Sequence, residues 1–202
     1  MGETRERPIL FSGEMVRAIL DGRKTQTRRV VARSTGMITF EDVGVWPVRL
    51  GSDGENHMIL CPYGNPGDRL WVRERIDLSE KRGEMLDTAV YAADGTVTPL
   101  DTWPWKRDFL PSIHCPRGLS RIDLEITDVR IERVQYISAE DAEAEGCVCD
   151  CDKKWMKPED QDKPCPVSTS VFSTLWDSIN AKRGYGWDVN PWVWVVKFKE
   201  AQ

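Results

Sequence analysis

Leu119-Ser-Arg-Ile-Asp-Leu-Glu-Ile-Thr-Asp-Val-Arg-Ile-Glu-Arg-Val134 is the clearest strand signal in the chain. Ile122, Leu124 and Ile126 alternate with Arg121, Asp123 and Glu125, the period-two pattern of a strand with one buried face. Val129, Ile131 and Val134 continue the sheet after an expected bend at Thr127 and Asp128. Downstream, Ser138-Ala-Glu-Asp141 is close to a capping box and predicts a short helix over 139–145, ended by Gly146. Val171, Phe172, Leu175, Trp176 and Ile179 predict an amphipathic helix over about 170–182. The stretch 192–198 reads as a closing strand, apolar on both faces apart from Lys197.

Upstream, Pro66-Gly-Asp68 signals a turn into the buried strand Leu70-Trp-Val72. Pro8-Ile-Leu-Phe11 reads as a first strand. Ser12 then caps a helix over 14–21, in which Met15, Val16, Ile19 and Leu20 recur at helical spacing. Gly22 suits the left-handed position that stops it, and 23–31 follow as extended chain. Residues 32–66 read as a hairpin-bearing segment, 74–83 as loop with one helical turn, 90–92 as a short strand, and 99–118 as an aromatic loop. Helices and strands do not alternate regularly, which argues against a doubly wound sheet. The expectation is α+β: a small mixed β-barrel with short flanking helices and loop insertions, one domain over 1–202.

A net charge of −5 argues against a protein that coats duplex nucleic acid by bulk attraction. A local basic patch remains, formed by Arg23, Lys24, Arg28 and Arg29. No run approaches about 18 apolar residues, and Met1-Gly-Glu-Thr-Arg-Glu-Arg7 is not an apolar leader. A cytoplasmic protein without a membrane partner is expected. Only two histidines are present, His57 and His114, far apart in sequence, which disfavours a Ser-His-Asp triad.

Within the basic patch, Lys24 can serve as a base if its pKa is lowered, and a neighbouring hydroxyl can then become a nucleophile. Spacing alone leaves Thr25 and Thr27 as alternatives, and a polar edge strand rich in threonine reads equally well. Glu145 falls in the last turn of the short acidic helix, where the helix end disfavours a carboxylate charge; that suits a proton shuttle. Nine tryptophans offer stacking surfaces. Trp46, Trp103, Trp105 and Trp187 sit on expected loops; Trp105, with Phe11 beside the patch, is the aromatic candidate for substrate contact. Cys147, Cys149, Cys151 and Cys165 offer four thiolates, enough for a structural zinc ion, although their spacing is not the usual knuckle.

Several of these segments together resemble the ASCH-domain family, whose fold is PUA-like. They are Ala18-Ile-Leu-Asp-Gly-Arg-Lys-Thr-Gln-Thr-Arg28, Pro66-Gly-Asp-Arg-Leu-Trp-Val72, the long strand running into the acidic helix, and the closing strand. The chain looks most like the longer, phage-encoded branch, with 32–65, 80–118 and 147–166 as elaborations. Some compact bacterial members are amidohydrolases that remove the acyl group of N4-acetylcytidine with a lysine, a threonine and a glutamate. The resemblance maps these onto Lys24, Thr27 and Glu145, and so implies the second threonine of the pair. It implies a modified cytosine nucleoside as substrate. For that reaction Arg23 and Arg28 are the expected substrate-binding residues, with Arg23 or Arg28, or backbone N–H groups, stabilising the oxyanion, and no cofactor is needed for the chemistry. It leaves two rivals: an RNA or modified-base binding module without turnover, and a ribonuclease using the same cleft.

Overall fold

The computed structural model describes residues 4–31, 36–40, 44–50, 54–80, 87–100, 102–148 and 163–201. β11 (Asp123–Arg133) pairs antiparallel with β12 (Trp192–Glu200) from Leu124 to Arg133, and with β6 (Arg69–Arg73) at its start. β1 (Glu6–Leu10) joins β6 in parallel, and β2 (Gln26–Val30) joins β12 antiparallel. The result is a five-stranded mixed sheet in the order β1-β6-β11-β12-β2.

The register of β11 shifts between Ile126 and Asp128, so the expected bend is a β-bulge. Its effect is legible in the apolar pattern. Even-numbered Leu124 and Ile126 face the core before the bulge, and odd-numbered Val129 and Ile131 pack on that same core after it. One extra residue reverses which parity faces inward, because side chains alternate strictly along a strand. β12 is apolar on both faces because it lies between two layers. Trp194, Val196 and Phe198 join the core under α1 (Gly13–Leu20), while Val193 and Val195 pack with Phe172 and Trp176 of α3 (Val167–Asn180).

Both short helices start on serine caps. Ser12 Oγ accepts from Met15 N at 3.4 Å, and Ser138 Oγ accepts from Asp141 N at 3.1 Å at the head of α2 (Ala139–Ala144). Both end at left-handed glycines, Gly22 at φ +71° and Gly146 at φ +88°. α3 begins three residues earlier than its apolar spacing suggests; Pro166 precedes its first residue, a position where proline's missing N–H costs nothing.

Three expectations are corrected. The stretch 74–83, expected as a loop with a helical turn, holds a strand in its described part: Ile76–Glu80 form β7, and 81–83 lie outside the described residues. β7 pairs with β8 (Asp87–Tyr91), and β8 with β9 (Val97–Leu100). The alternation of Ile76 and Leu78 was too short, amid charged neighbours, to stand as a strand without these partners. The aromatic segment 99–118 also contains regular structure, since Phe109–Leu110 form β10 on the far edge of this second sheet. A third sheet, β3 (Gly36–Phe40), β4 (Gly44–Leu50) and β5 (Asn56–Met58), occupies the hairpin-bearing region. Trp46 lies on β4 rather than on a loop. Strands in several sheets and few helices make the fold α+β.

Arg121 clamps the first two sheets together. Its guanidinium reaches both oxygens of buried Glu74 at 3.0 and 2.8 Å, and both oxygens of Asp94 in the β8–β9 turn at 2.9 and 3.0 Å. It also lies 4.1 Å above the Tyr91 ring. Hydrogen bonding from Arg121 holds the Asp94 carboxyl well below the usual carboxylate range. Arg121→Ala strands Glu74 without its cation and is expected to cost about 3–5 kcal/mol in urea unfolding. Arg121→Lys restores only part of this, because an ammonium cannot fork onto two carboxylates. Asp94 stabilises the fold above its unfolded pKa of about 3.9; that contribution should fade as pH falls through the lower folded value. An Asp94→Asn variant should therefore lose less stability than the wild type on acidification below about pH 4.

Candidate functional site

The ends of α1 and α2 meet, and the site is built where they touch. After Gly22 the chain turns back, and Arg23 N and Lys24 N both donate to Ala18 O, at 2.9 and 2.8 Å. Lys24 and Glu145 form an isolated antiparallel bridge, and Thr25 N donates to Ala144 O at 2.8 Å. Gly146 permits this approach: a Cβ there would stand 3.1 Å from Ala18 Cβ and 3.4 Å from Lys24 Cβ.

Lys24 is buried to 2% exposure. Its Nζ donates to Glu145 Oε2 at 2.8 Å, to Glu145 O at 2.8 Å and to Gln26 O at 2.9 Å, which uses all three ammonium protons. Burial pulls the Lys24 pKa below the ordinary lysine value, while Glu145 pulls it upward. The other Glu145 oxygen accepts from Arg28 Nη1 at 3.2 Å. Arg28 also donates from Nη2 to Asp141 at 2.7 Å and to Glu132, whose carboxylate receives its Nε as well. Arg130 binds the same Asp141 and Glu132 from the sheet side. The carboxyl group at the end of α2 is thus held between two buried cations.

Alternation along β2 splits its side chains. Gln26 and Arg28 turn toward α2, where Gln26 Nε2 donates to Asp141 O at 2.8 Å. Thr27 is buried and lines a cleft of about 420 Å³ between β1, β2 and α3. Glu145 and Arg28 line the same cleft, together with Arg29, Arg73 and Phe172 among others. Thr25 is exposed and is not part of this lining. Of the two threonines that spacing left open, Thr27 is therefore the one beside Glu145 in the cleft. Lys24 lies beneath the cleft, not in its wall.

The remaining candidates are dispersed. Arg23 is exposed, paired with Asp21 at 2.7 Å, and does not line the cleft. Arg28 lines it, but its donors are engaged by Glu132, Asp141 and Glu145, so it holds the glutamate in place. Phe11 is a core residue whose ring lies 5.6 Å from Lys24 Nζ and 5.3 Å from Arg29 Cζ. Trp105 stacks edge-on against Trp103, ring centroids 4.8 Å apart, in the cluster of the second sheet. Trp187 packs against Phe172. Cys147 and Cys165 are buried, whereas Cys149 and Cys151 lie outside the described residues. Burial, with Glu145 alongside, pushes the Cys147 thiol up to about 11. Among the described residues no cluster of three metal-ligating side chains occurs. No helix among them is long and apolar enough to cross a membrane.

Sequence reasoning missed Glu132, Arg130 and Gln26 as members of the network, and Arg73 in the cleft wall. Glu132 and Arg130 sit on the β11 face opposite its apolar residues, where charge reads as solvated surface until α2 is placed over it. Arg73 had no signal beyond a charge at a strand end.

The sequence matches no family model and no curated protein. Among solved structures, the chain is similar to an ASCH domain from Lactobacillus crispatus JV V101, at 12% identity and a TM-score of 0.44, over 97% of this chain and 79% of that one. It is also similar to protein EF3133 from Enterococcus faecalis V583, at 12% identity and a TM-score of 0.43, over 100% of this chain and 83% of the other.

Glu145→Gln tests the electrostatics directly. Without the carboxylate, Lys24 loses the main influence that keeps it charged, and its folded pKa should drop further below the unfolded value of about 10.4. Stability rises with pH wherever the unfolded chain binds more protons. The variant should therefore regain stability, relative to wild type, as pH climbs from neutrality toward about 10. A difference in urea midpoint that stays flat over that range would contradict a charged Lys24–Glu145 pair.

Proposed function

We propose that the protein is an ASCH-type amidohydrolase that removes an acyl group from an N4-acylated cytosine nucleoside. The observation that carries this reading is one carboxylate, Glu145, bound to buried Lys24 and lining a cleft that Thr27 also lines. The match of these three residues to the sequence pattern of the compact amidohydrolases supports it.

In this reading Thr27 Oγ attacks the acyl carbon and forms the new C–O bond. Its proton goes to Lys24 Nζ, which must first be neutral. Burial favours that state, and the Nζ–Oε2 contact of 2.8 Å gives the ammonium proton a short route to Glu145. Collapse of the tetrahedral intermediate breaks the C–N bond, and Glu145 returns a proton to the departing N4 amine. Water then hydrolyses the Thr27 ester, releasing the carboxylic acid and restoring the hydroxyl. Arg28 keeps Glu145 aimed; a role for Arg23 at the oxyanion is set aside, since it lies away from the cleft.

A second reading is a modified-base binding module with the same cleft and no turnover. The saturation of Lys24 Nζ by three acceptors favours it, because a base in that state has no free lone pair.

One assay decides between them. The protein is incubated with N4-acetylcytidine and a panel of N4-acylated nucleosides, and cytidine release is followed. Lys24→Ala and Thr27→Ala are expected to reduce release at least about 100-fold, the scale typical for loss of a positioned catalytic group. Undiminished release in both variants would overturn the site; tight binding without any release would establish the binding module.

A further inference from the structure

Three arginines line the cleft without a carboxylate partner among the described residues. Arg29 is largely enclosed in its wall and donates from Nη2 to Leu10 O at 2.7 Å. Arg73 donates from Nη1 to Ile113 O at 3.0 Å and lies 4.8 Å from the Trp71 ring centroid. The Nε atoms of both are buried and lack a hydrogen-bond partner among the described residues. Arg183, exposed in the turn after α3, completes the rim. Among the described residues none of the three forms an ion pair, whereas Arg28, Arg117, Arg121 and Arg130 all do. Among the described residues the only carboxylate in the cleft wall is Glu145, already committed to Lys24 and Arg28.

Cations gathered like this repel one another and carry a desolvation cost, which for Arg29 the more distant charges of Tyr63 and Glu145 offset only in part. In a chain of net charge −5 the concentration of positive charge at one concavity is a local design. Burial pulls the Arg29 pKa below its ordinary value, and the positive charge of Arg183 adds to that pull. An anion seated among the three would relieve both costs, and forked guanidinium donors suit phosphate oxygens. The cleft volume of about 420 Å³ lies in the range for one small ligand, too small for a folded strand of nucleic acid. Ile9, Tyr63, Leu175 and Ile179 in its wall offer an apolar surface for a base.

We infer that the cleft takes a mononucleotide, with Arg29, Arg73 and Arg183 holding its terminal phosphate and the apolar wall holding its base. The inference rests on the nucleobase reading above for the base, and on the arginines alone for the phosphate.

Binding to the full chain is measured by calorimetry with cytidine, cytidine 5′-monophosphate, ribose 5-phosphate and a short single-stranded oligoribonucleotide. The monophosphate is expected to bind at least about tenfold more tightly than cytidine, with an advantage that shrinks as salt rises. In an Arg73→Gln/Arg183→Gln double variant, chosen to spare the enclosed Arg29, that advantage should collapse while cytidine affinity stays put. Equal affinities for nucleoside and monophosphate would overturn the inference. So would an undiminished advantage in the double variant, binding of the oligonucleotide but not the mononucleotide, or binding of none of the four. Ribose 5-phosphate binding as tightly as the monophosphate would uphold the phosphate site and sink the nucleobase reading. Because the readout is affinity, failure of the acyl-transfer chemistry leaves the test intact.

Discussion

The contact between Lys24 and Glu145 is the constraint on which the rest of the site depends. It is an ion pair with both side chains at 4% exposure or less, between residues 121 apart in sequence, and it closes the ends of two helices. Removing two charges from water is expensive, and their mutual attraction compensates only when the remaining hydrogen-bonding capacity is also met. Here it is met. Two backbone carbonyls take the other Lys24 protons, and Arg28 takes the other Glu145 oxygen. A less complete shell would leave a buried ion without compensation. The surrounding carboxylates and arginines are therefore conditions for the pair to exist.

The backbone is arranged to allow that shell. Gly22 and Gly146 both take left-handed conformations, and Gly146 also lacks the Cβ that would crowd Ala18 and Lys24. Pairing of β2 with β12 fixes which residues of the basic segment face α2 and which face the cleft. The bulge in β11 keeps a continuous apolar face beneath both halves of the strand. Hydrophobic burial thus sets the platform, and the polar network specifies how the helix ends are registered upon it. The same division accounts for the two populations of arginine. Arg28 and Arg130 are locked into carboxylates within the platform, while Arg29, Arg73 and Arg183 face an open concavity.

Much of the fold was legible in the chain. Serine caps, stopping glycines and the period-two apolar pattern of 122–126 led to α1, α2, β6, β11 and β12 with small errors at their ends. β7 and β10 were missed because short strands with charged or aromatic neighbours acquire their identity from the partners they pair with. At the site, Lys24 and Glu145 could be nominated separately, one from a basic turn and one from a helix end. Nothing in either segment says that they touch. Trp105 and Phe11 show the reverse error, since an aromatic residue near a basic segment or on a loop can equally be packing, as both are here.

What the sequence determined by itself was local: where helices begin and stop, which strand faces are apolar, and which residue types could carry acid–base chemistry. These follow from propensity, capping and periodicity, which act over a few residues. Tertiary structure alone decided that Thr27 rather than Thr25 lines the cleft, and that Lys24 lies under it with all three protons engaged. It alone separated the arginines that stabilise carboxylates from those left facing the cleft. Each of these depends on what stands opposite a side chain across a sheet or between helices. The Coulombic and desolvation terms that decide a buried charge's state are set by those neighbours, not by its place in the chain.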